Sequence, residues 1–173
     1  MNWYKKSQLQ YRDIPRPDDF FEDDEDFDAN AARQRVEQIF KERGVRPDST
    51  KEFTDVAIND ELPVGGLASG WTDNDDYDFP VKEFSFDVAA EAKENRTPNR
   101  TPNRGGTGMM GMRLIQEGID RYEAEKMEWE EMGYKTMIRL WVINPRLVPI
   151  LERRFGFAIE AEYGDGSAHM IRY

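Results

Sequence analysis

Residues 103–108 read Asn103-Arg104-Gly105-Gly106-Thr107-Gly108, and residues 140–145 read Leu140-Trp141-Val142-Ile143-Asn144-Pro145. The first stretch lies where one periodicity gives way to another. Before it, Phe79 to Ala89 alternates through Val81, Phe84, Phe86 and Val88, as a central strand does. After it, Met109, Met112, Ile115, Ile119 and Tyr122 recur at three- and four-residue spacing, the stripe of a helix with one buried side. Strand, glycine-rich loop and helix together make an anion site, because glycines let backbone N–H groups turn inward and the helix N-terminus adds partial positive charge. Arg100 and Arg104 stand just upstream, where they can pair with phosphate oxygens. No Gly-Lys-Ser/Thr follows, so this is not a Walker A loop. Gly106, Gly108 and Gly111 meet the dinucleotide fingerprint only loosely.

The second stretch ends the most apolar strand pattern of the chain, Tyr134 to Ile143. Pro145 then opens a helix at an early position, where its missing N–H does no harm, and Gly156 closes it after Leu147, Ile150 and Leu151. Phe157 to Glu162, a Gly164-Asp165-Gly166 turn and Ala168 to Tyr173 read as a terminal hairpin. Upstream, a helix runs from an Asp28 or Asn30 cap through Val36, Ile39 and Phe40 to Gly44. Phe53, Val56 and Ile58, a turn at Asn59-Asp60, and Leu62, Val64, Leu67 and Trp71 make an antiparallel hairpin, followed by an acidic loop over residues 72–78. Residues 95–104 repeat Asn-Arg-Thr-Pro and form a loop, since two prolines in ten polar residues forbid helix or central strand. The fold class is α+β: a mixed, mostly antiparallel twisted sheet flanked by helices.

The 173 residues hold 35 acids and 24 bases, a formal net charge of −11. Residues 1–28 carry nine acids and four bases, and eight of the eleven residues from Asp18 to Asp28 are acidic. Like charges at that density repel, so residues 1–27 are expected to be a disordered tail and residues 28–173 a single domain. Trp3, Tyr4, Tyr11, Phe20, Phe21 and Phe27 punctuate the tail, which leaves docking on its own domain or on a protein partner open. The acidic balance argues against nucleic acid. With no cysteine there is no disulfide, thiolate metal site or cysteine nucleophile, and the single His169 argues against a His-based zinc site or a Ser-His-Asp triad. No metal is expected. No apolar run spans a bilayer or reads as a signal peptide, so a soluble cytoplasmic protein is expected.

The two stretches, in this order and about forty residues apart, resemble the GCN5-related N-acetyltransferase (GNAT) superfamily. In that family a strand leads into a pyrophosphate loop of the form Gln/Arg-x-x-Gly-x-Gly/Ala and then a helix. Asn103-Arg104-Gly105-Gly106-Thr107-Gly108 matches, with Asn103 in the first place. A strand ending in Asn, a short helix and a Gly-Phe follow in the family. Leu140 to Pro145 and Arg153-Arg154-Phe155-Gly156-Phe157 look like that block. The resemblance covers residues 53–173 and is strongest over 86–157.

It implies acetyl-CoA as co-substrate and acyl transfer to an amine acceptor on a small molecule or a basic side chain. The backbone near Phe86 and Val88 would pair with the pantetheine arm, amides of Arg104 to Met109 would hold the pyrophosphate, and Asn144 would contact the cofactor arm. The family's helix tyrosine, which protonates the leaving thiolate, is replaced here by Leu151 or Glu152. The acid is then Tyr163, Tyr134 or His169, or is absent; Glu83 and Asp87 are the candidate bases. A catalytically inactive module of the same fold, acting through the acidic aromatic tail in a larger assembly, is the alternative.

Overall fold

The computed structural model describes residues 9–14, 27–59, 61–91 and 106–173. The elements run β1 (Leu9–Asp13), α1 (Ala29–Arg43), β2 (Glu52–Asn59), β3 (Leu62–Asn74), β4 (Val81–Ala90), α2 (Gly106–Glu131), β5 (Lys135–Val142), α3 (Val148–Phe155), β6 (Ala158–Glu162) and β7 (Ala168–Arg172). A seven-stranded sheet has the order β1-β2-β3-β4-β5-β7-β6. β4 and β5 pair in parallel, while β1–β2, β2–β3, β5–β7 and β6–β7 are antiparallel. The expected α+β class with a mixed sheet and helices is therefore what the chain adopts. No helix is long and apolar enough to cross a membrane among the described residues.

The chain divides into two compact units, residues 1–69 with 87–119, and residues 70–86 with 120–173. In the first, α1 forms because Asp28 caps it, its carboxylate accepting the Ala31 N–H at 3.0 Å, and Gly44 ends it at φ 71°. Its buried side, Ala32, Val36, Ile39 and Phe40, packs with Val56, Ile58, Ala68 and Ala89. Met110 and Leu114 of α2 pack instead with Ala57, Val64 and Ala90. Adjacent strand residues such as Val56 and Ala57 thus go to different helices, so α1 and α2 cover opposite faces of this part of the sheet. That double cover explains why Asp55 to Asn59 are all buried.

Three expectations are corrected here. Leu9–Asp13, read as part of a disordered tail, is a strand paired with β2 from Leu9↔Asn59 to Asp13↔Asp55; Ile14 is buried in the α1 cluster. The Arg12 guanidinium also sits 4.0 Å over the Phe27 ring. The remaining tail residues, 1–8 and 15–26, lie outside the described residues, as does the repeat at 95–104. The supposed loop from Thr72 is strand through Asn74, because Asp73 pairs with Lys82 at 2.8 Å and the buried Asn74 donates to Glu83 at 2.8 Å. In the helix stripe Ile115, Ile119 and Tyr122 are buried as expected, Met110 and Leu114 join them, and Met112 is only half-buried.

Burial pushes the Tyr11 phenol up to about 12, against the opposing pull of the Arg113 charge. The folded state thus holds this proton more tightly than the unfolded chain, whose tyrosines titrate near about 10. The associated stability is complete below pH ~10 and is lost as pH rises towards ~12. Melting temperatures measured across that window should fall less steeply for Tyr11→Phe than for the native chain. Equal slopes would refute the assignment.

In the second unit Trp71 is the centre. Its ring lies 5.0 Å from Phe84, 5.7 Å from Tyr122 and 6.1 Å from Trp129, and its Nε1–H donates to Glu125 at 2.6 Å. Tyr122 and Thr136 join through their hydroxyls at 3.0 Å. After β5, Asn144 caps a 3-10 turn over Pro145–Leu147 by accepting the Arg146 N–H at 3.1 Å. This turn precedes α3, which ends at Gly156 with φ 74°.

Candidate active site

The parallel pairing of β4 with β5 runs from Val81↔Lys135 to Phe84↔Ile138 and stops there. Both strands continue within the second unit, one through Ser85 and Phe86, the other through Arg139 to Val142. The latter stays paired with β7 along its other side, from Ile138↔Arg172 to Val142↔Ala168. Past Ile138, then, no strand among the described residues pairs with β5 on the β4 side. The backbone N–H and C=O groups of such a segment are a ready template for an extended amide-bearing ligand.

Side chains of this segment alternate. Ile138, Leu140 and Val142 are buried, while Arg139 is partly exposed and Trp141 and Ile143 are 62% and 69% exposed. On the Arg139 face, its guanidinium donates to Glu83 at 2.9 Å and to Glu160 at 2.7 Å, and Asn74 donates to the same Glu83 oxygen, Oε2. Burial alone would lower the guanidinium pKa. The Glu160 hydrogen bond and the charges of Glu83 and Glu160 outweigh burial and hold it above the ordinary value. Beside it, Trp141 is the Cα partner of His169, their rings 6.0 Å apart edge to face. His169 Nδ1 lies 3.1 Å from the Tyr163 hydroxyl.

The sequence candidates divide between the units. Glu83, Phe86, Asn144 and Tyr163 belong to the second; Asp87, Val88, Gly106, Thr107, Gly108 and Met109 belong to the first. Gly106 to Met109 form the first turn of α2, so the helix begins at the glycine run as expected. Asn103, Arg104 and Gly105 lie outside the described residues. Glu83 is bound to Arg139 and Asn74, and Asp87 is bound at 3.0 Å to the nine-tenths-buried Lys51 ammonium. Phe86 is buried against Phe84 at 6.0 Å, and Val88 packs on the α2 cluster. Leu151 is buried and Glu152 exposed, so α3 supplies no proton donor in the register of the missing tyrosine. Tyr134 sits with Trp129, rings 5.6 Å apart, beneath the Lys82 ammonium.

Arg139 and Trp141 escape a sequence search for site residues because both lie in a run that reads only as strand. The available signal is the period-2 phase: an arginine at 139 marks the face of 137, 139, 141 and 143 as not wholly core, which puts Trp141 outside too.

The sheet order and the helices around it are a fold shared with solved structures that include a GNAT-family acetyltransferase. The solved structures similar to the chain include Naa50 from Arabidopsis thaliana in complex with the bisubstrate analogue CoA-Ac-MVNAL, at TM-score 0.56 and 14% identity, covering 96% of this chain and 99% of that one. A GNAT-family acetyltransferase from Streptococcus pneumoniae follows at TM-score 0.50 and 13% identity, covering 95% and 98%. Eis1 from Mycobacterium abscessus matches at 0.51 and 15% identity over 87% of this chain and 31% of its own. No protein-family model and no curated protein sequence matches the chain.

Proposed function

We propose that the protein is an acetyl-CoA-dependent N-acetyltransferase whose acceptor is a cationic amine of a small molecule or a basic protein side chain. The observation that carries this is the end of β4–β5 pairing at Phe84↔Ile138. The residues present fit acetyl-CoA: Arg139 to Val142 offer backbone groups for an amide-bearing arm, and Asn144 is exposed at the end of that strand. In this reading the backbone of Phe86 and Val88 also pairs with the arm. Amides of Arg104, Gly105, Gly106, Thr107, Gly108 and Met109, beside Asn103, hold the pyrophosphate as a helix N-terminus holds an anion.

Acetyl-CoA supplies a thioester carbonyl. The cationic amine first loses its ammonium proton to solvent; as the neutral amine it then attacks that carbonyl, the N–C bond forms as the C–S bond breaks, the surplus proton on nitrogen departs and the thiolate takes one up. Positioning supplies much of the rate in such a transfer. Glu83 and Asp87 both hold cations, which leaves Tyr163, whose hydroxyl lies 3.1 Å from His169 Nδ1, as the proposed proton donor. The net charge of −11 raises the encounter rate with a cationic acceptor.

Calorimetric titration with acetyl-CoA tests the reading. The native chain should bind, and both Gly106→Asp and Arg104→Ala should lose at least about tenfold in affinity, the loss expected from a charge clash or a missing charge-assisted bond of about 1.4 kcal/mol or more. CoA release with a panel of polyamines and basic peptides then identifies the acceptor. Absence of heat and of any thermal shift with the native chain would sink the enzyme reading in favour of the inactive module.

A further inference from the structure

We infer that the open sheet face around Trp141 is a docking surface for a lysine-rich polypeptide segment, one of whose lysines is the acceptor. That the docked lysine is acetylated rests on the acetyltransferase reading; the docking itself does not. The two faces of β5, β7 and β6 differ. On one, Ile138, Leu140, Val142, Ala168 and Met170 are buried, and Tyr122 of α2 reaches the Thr136 hydroxyl. The other is left open. Trp141 and Ile143 stand there with more than half of their surface in water, and Tyr163, 46% exposed, follows β6. His169 of β7 links them: it is the Cα partner of Trp141, its ring and the indole meet edge to face, and its Nδ1 lies 3.1 Å from the Tyr163 hydroxyl. An antiparallel sheet with one face in water ordinarily sets polar side chains on it, so a row of large apolar ones marks a binding surface.

Charge decides what covers it. Glu162 and Asp165, on either side of Tyr163 along the hairpin, are exposed, and neither pairs with a cation among the described residues. A second copy would bring the same acids and a net charge of −11, and the chain's own start, residues 1–28, carries nine acids against four bases. Both are repelled where a basic segment is attracted. The rings suit it too: an indole or phenol face takes an ammonium, and the methylenes of a lysine lie along the ring. Exposed Trp and Tyr are the side chains from which interfaces draw most of their binding energy. The row crosses three strands, roughly 10 Å at the usual strand spacing, which is the reach of about three extended residues and more than one amine can touch. Trp141 also lies just past Ile138, the last β5 residue paired with β4. A segment laid across it brings a lysine beside the strand assigned to the thioester arm.

Fluorescence anisotropy of a labelled Lys-Gly decapeptide, titrated with the full chain, tests the docking. The native protein should bind it, the matching Glu-Gly peptide should not bind, and affinity should fall at least about fivefold between roughly 50 and 300 mM salt. Trp141→Ala should lose about tenfold or more in affinity, and Trp141→Phe less, because phenylalanine keeps a weaker face for the cation. Glu162→Gln combined with Asp165→Asn should flatten the salt dependence. Unchanged melting temperatures and acetyl-CoA affinities show that these exposed positions leave the fold intact. Affinity of Trp141→Ala within about twofold of native, or equal binding of the acidic peptide, overturns the proposal. Spermine binding as tightly as the decapeptide, with the same dependence on Trp141, also overturns it and makes the face a small-amine site. A native dimer that Trp141→Ala dissolves overturns it in favour of a second copy. In the acetylation assay Trp141→Ala should raise the KM for the peptide about tenfold at little change in kcat. Peptide docking without acetyl-CoA binding overturns the parent reading and keeps the surface; acetyl-CoA binding without docking does the reverse.

Discussion

Phe84→Ala should lower unfolding stability by about 3–5 kcal/mol, the range for truncating a fully buried aromatic. Phe84 is inaccessible to solvent, and its ring meets Trp71 at 5.0 Å, Phe86 at 6.0 Å and Tyr122 at 6.0 Å. The lost side chain removes apolar burial and leaves a void that three large rings cannot fill without leaving their own rotamers. For a chain of this length the melting temperature should fall roughly 6–20 °C. Phe84 is also the last β4 residue paired with β5, opposite Ile138. Alanine there should therefore weaken acetyl-CoA binding beyond what partial unfolding explains, whereas Phe84→Leu should retain binding at a smaller stability cost. Urea denaturation of the three proteins decides it. A loss under 1 kcal/mol for alanine would mean that the Trp71 cluster does not depend on this ring.

Gly66→Val should be nearly as damaging, by the opposite mechanism. A Cβ at Gly66 would run into the Val36 methyls of α1 and come within 2.9 Å of the Asp55 carbonyl. The methyls belong to a fully buried side chain and the carbonyl to the backbone of β2, so neither withdraws cheaply. Overpacking of this kind costs about 1–3 kcal/mol for a single methyl and more for valine's branches. Gly66→Ala combined with Val36→Ala should recover part of the loss, because the smaller α1 residue makes room. Gly111 provides the contrast. It lies inside α2, and a Cβ there would meet nothing within 4 Å, so Gly111→Ala should gain about 0.5–1 kcal/mol from helix propensity. Equal effects at the two positions would show that the α1–β3 approach is looser than the geometry requires.

Elements whose signals are local are legible in the sequence. Asp28 and Gly44 bracket α1 as caps do, Gly156 ends α3, and the alternation after Pro80 finds β4. β1 is hidden because Leu9–Asp13 is short, mixed in polarity and followed by an acid-rich stretch; its strand character comes from β2, a partner some forty residues away. Spacing finds Ile115, Ile119 and Tyr122 of α2 but not Met110 and Leu114, because Met109 and Met112 fit the same three- and four-residue steps. For the site, residue types and approximate places are readable but partnerships are not. That Glu83 is bound by Arg139, and that Tyr163 meets His169, follows from parallel register in one case and hairpin register in the other. A shift of one residue would put each side chain on the opposite face.

β1 is the outermost strand of the sheet, and β2 lies behind it. A shortened chain beginning at Asp28 would leave the outer edge of β2 without its partner along the five residues Asp55–Asn59, which include side chains as apolar as Val56, Ala57 and Ile58. It would also shed most of the net −5 carried by residues 1–28, the charge that keeps like molecules apart in dilute salt. Both changes favour edge-to-edge association of copies. β1 thus closes, for its five paired residues, an edge that would otherwise be open to a strand of another molecule.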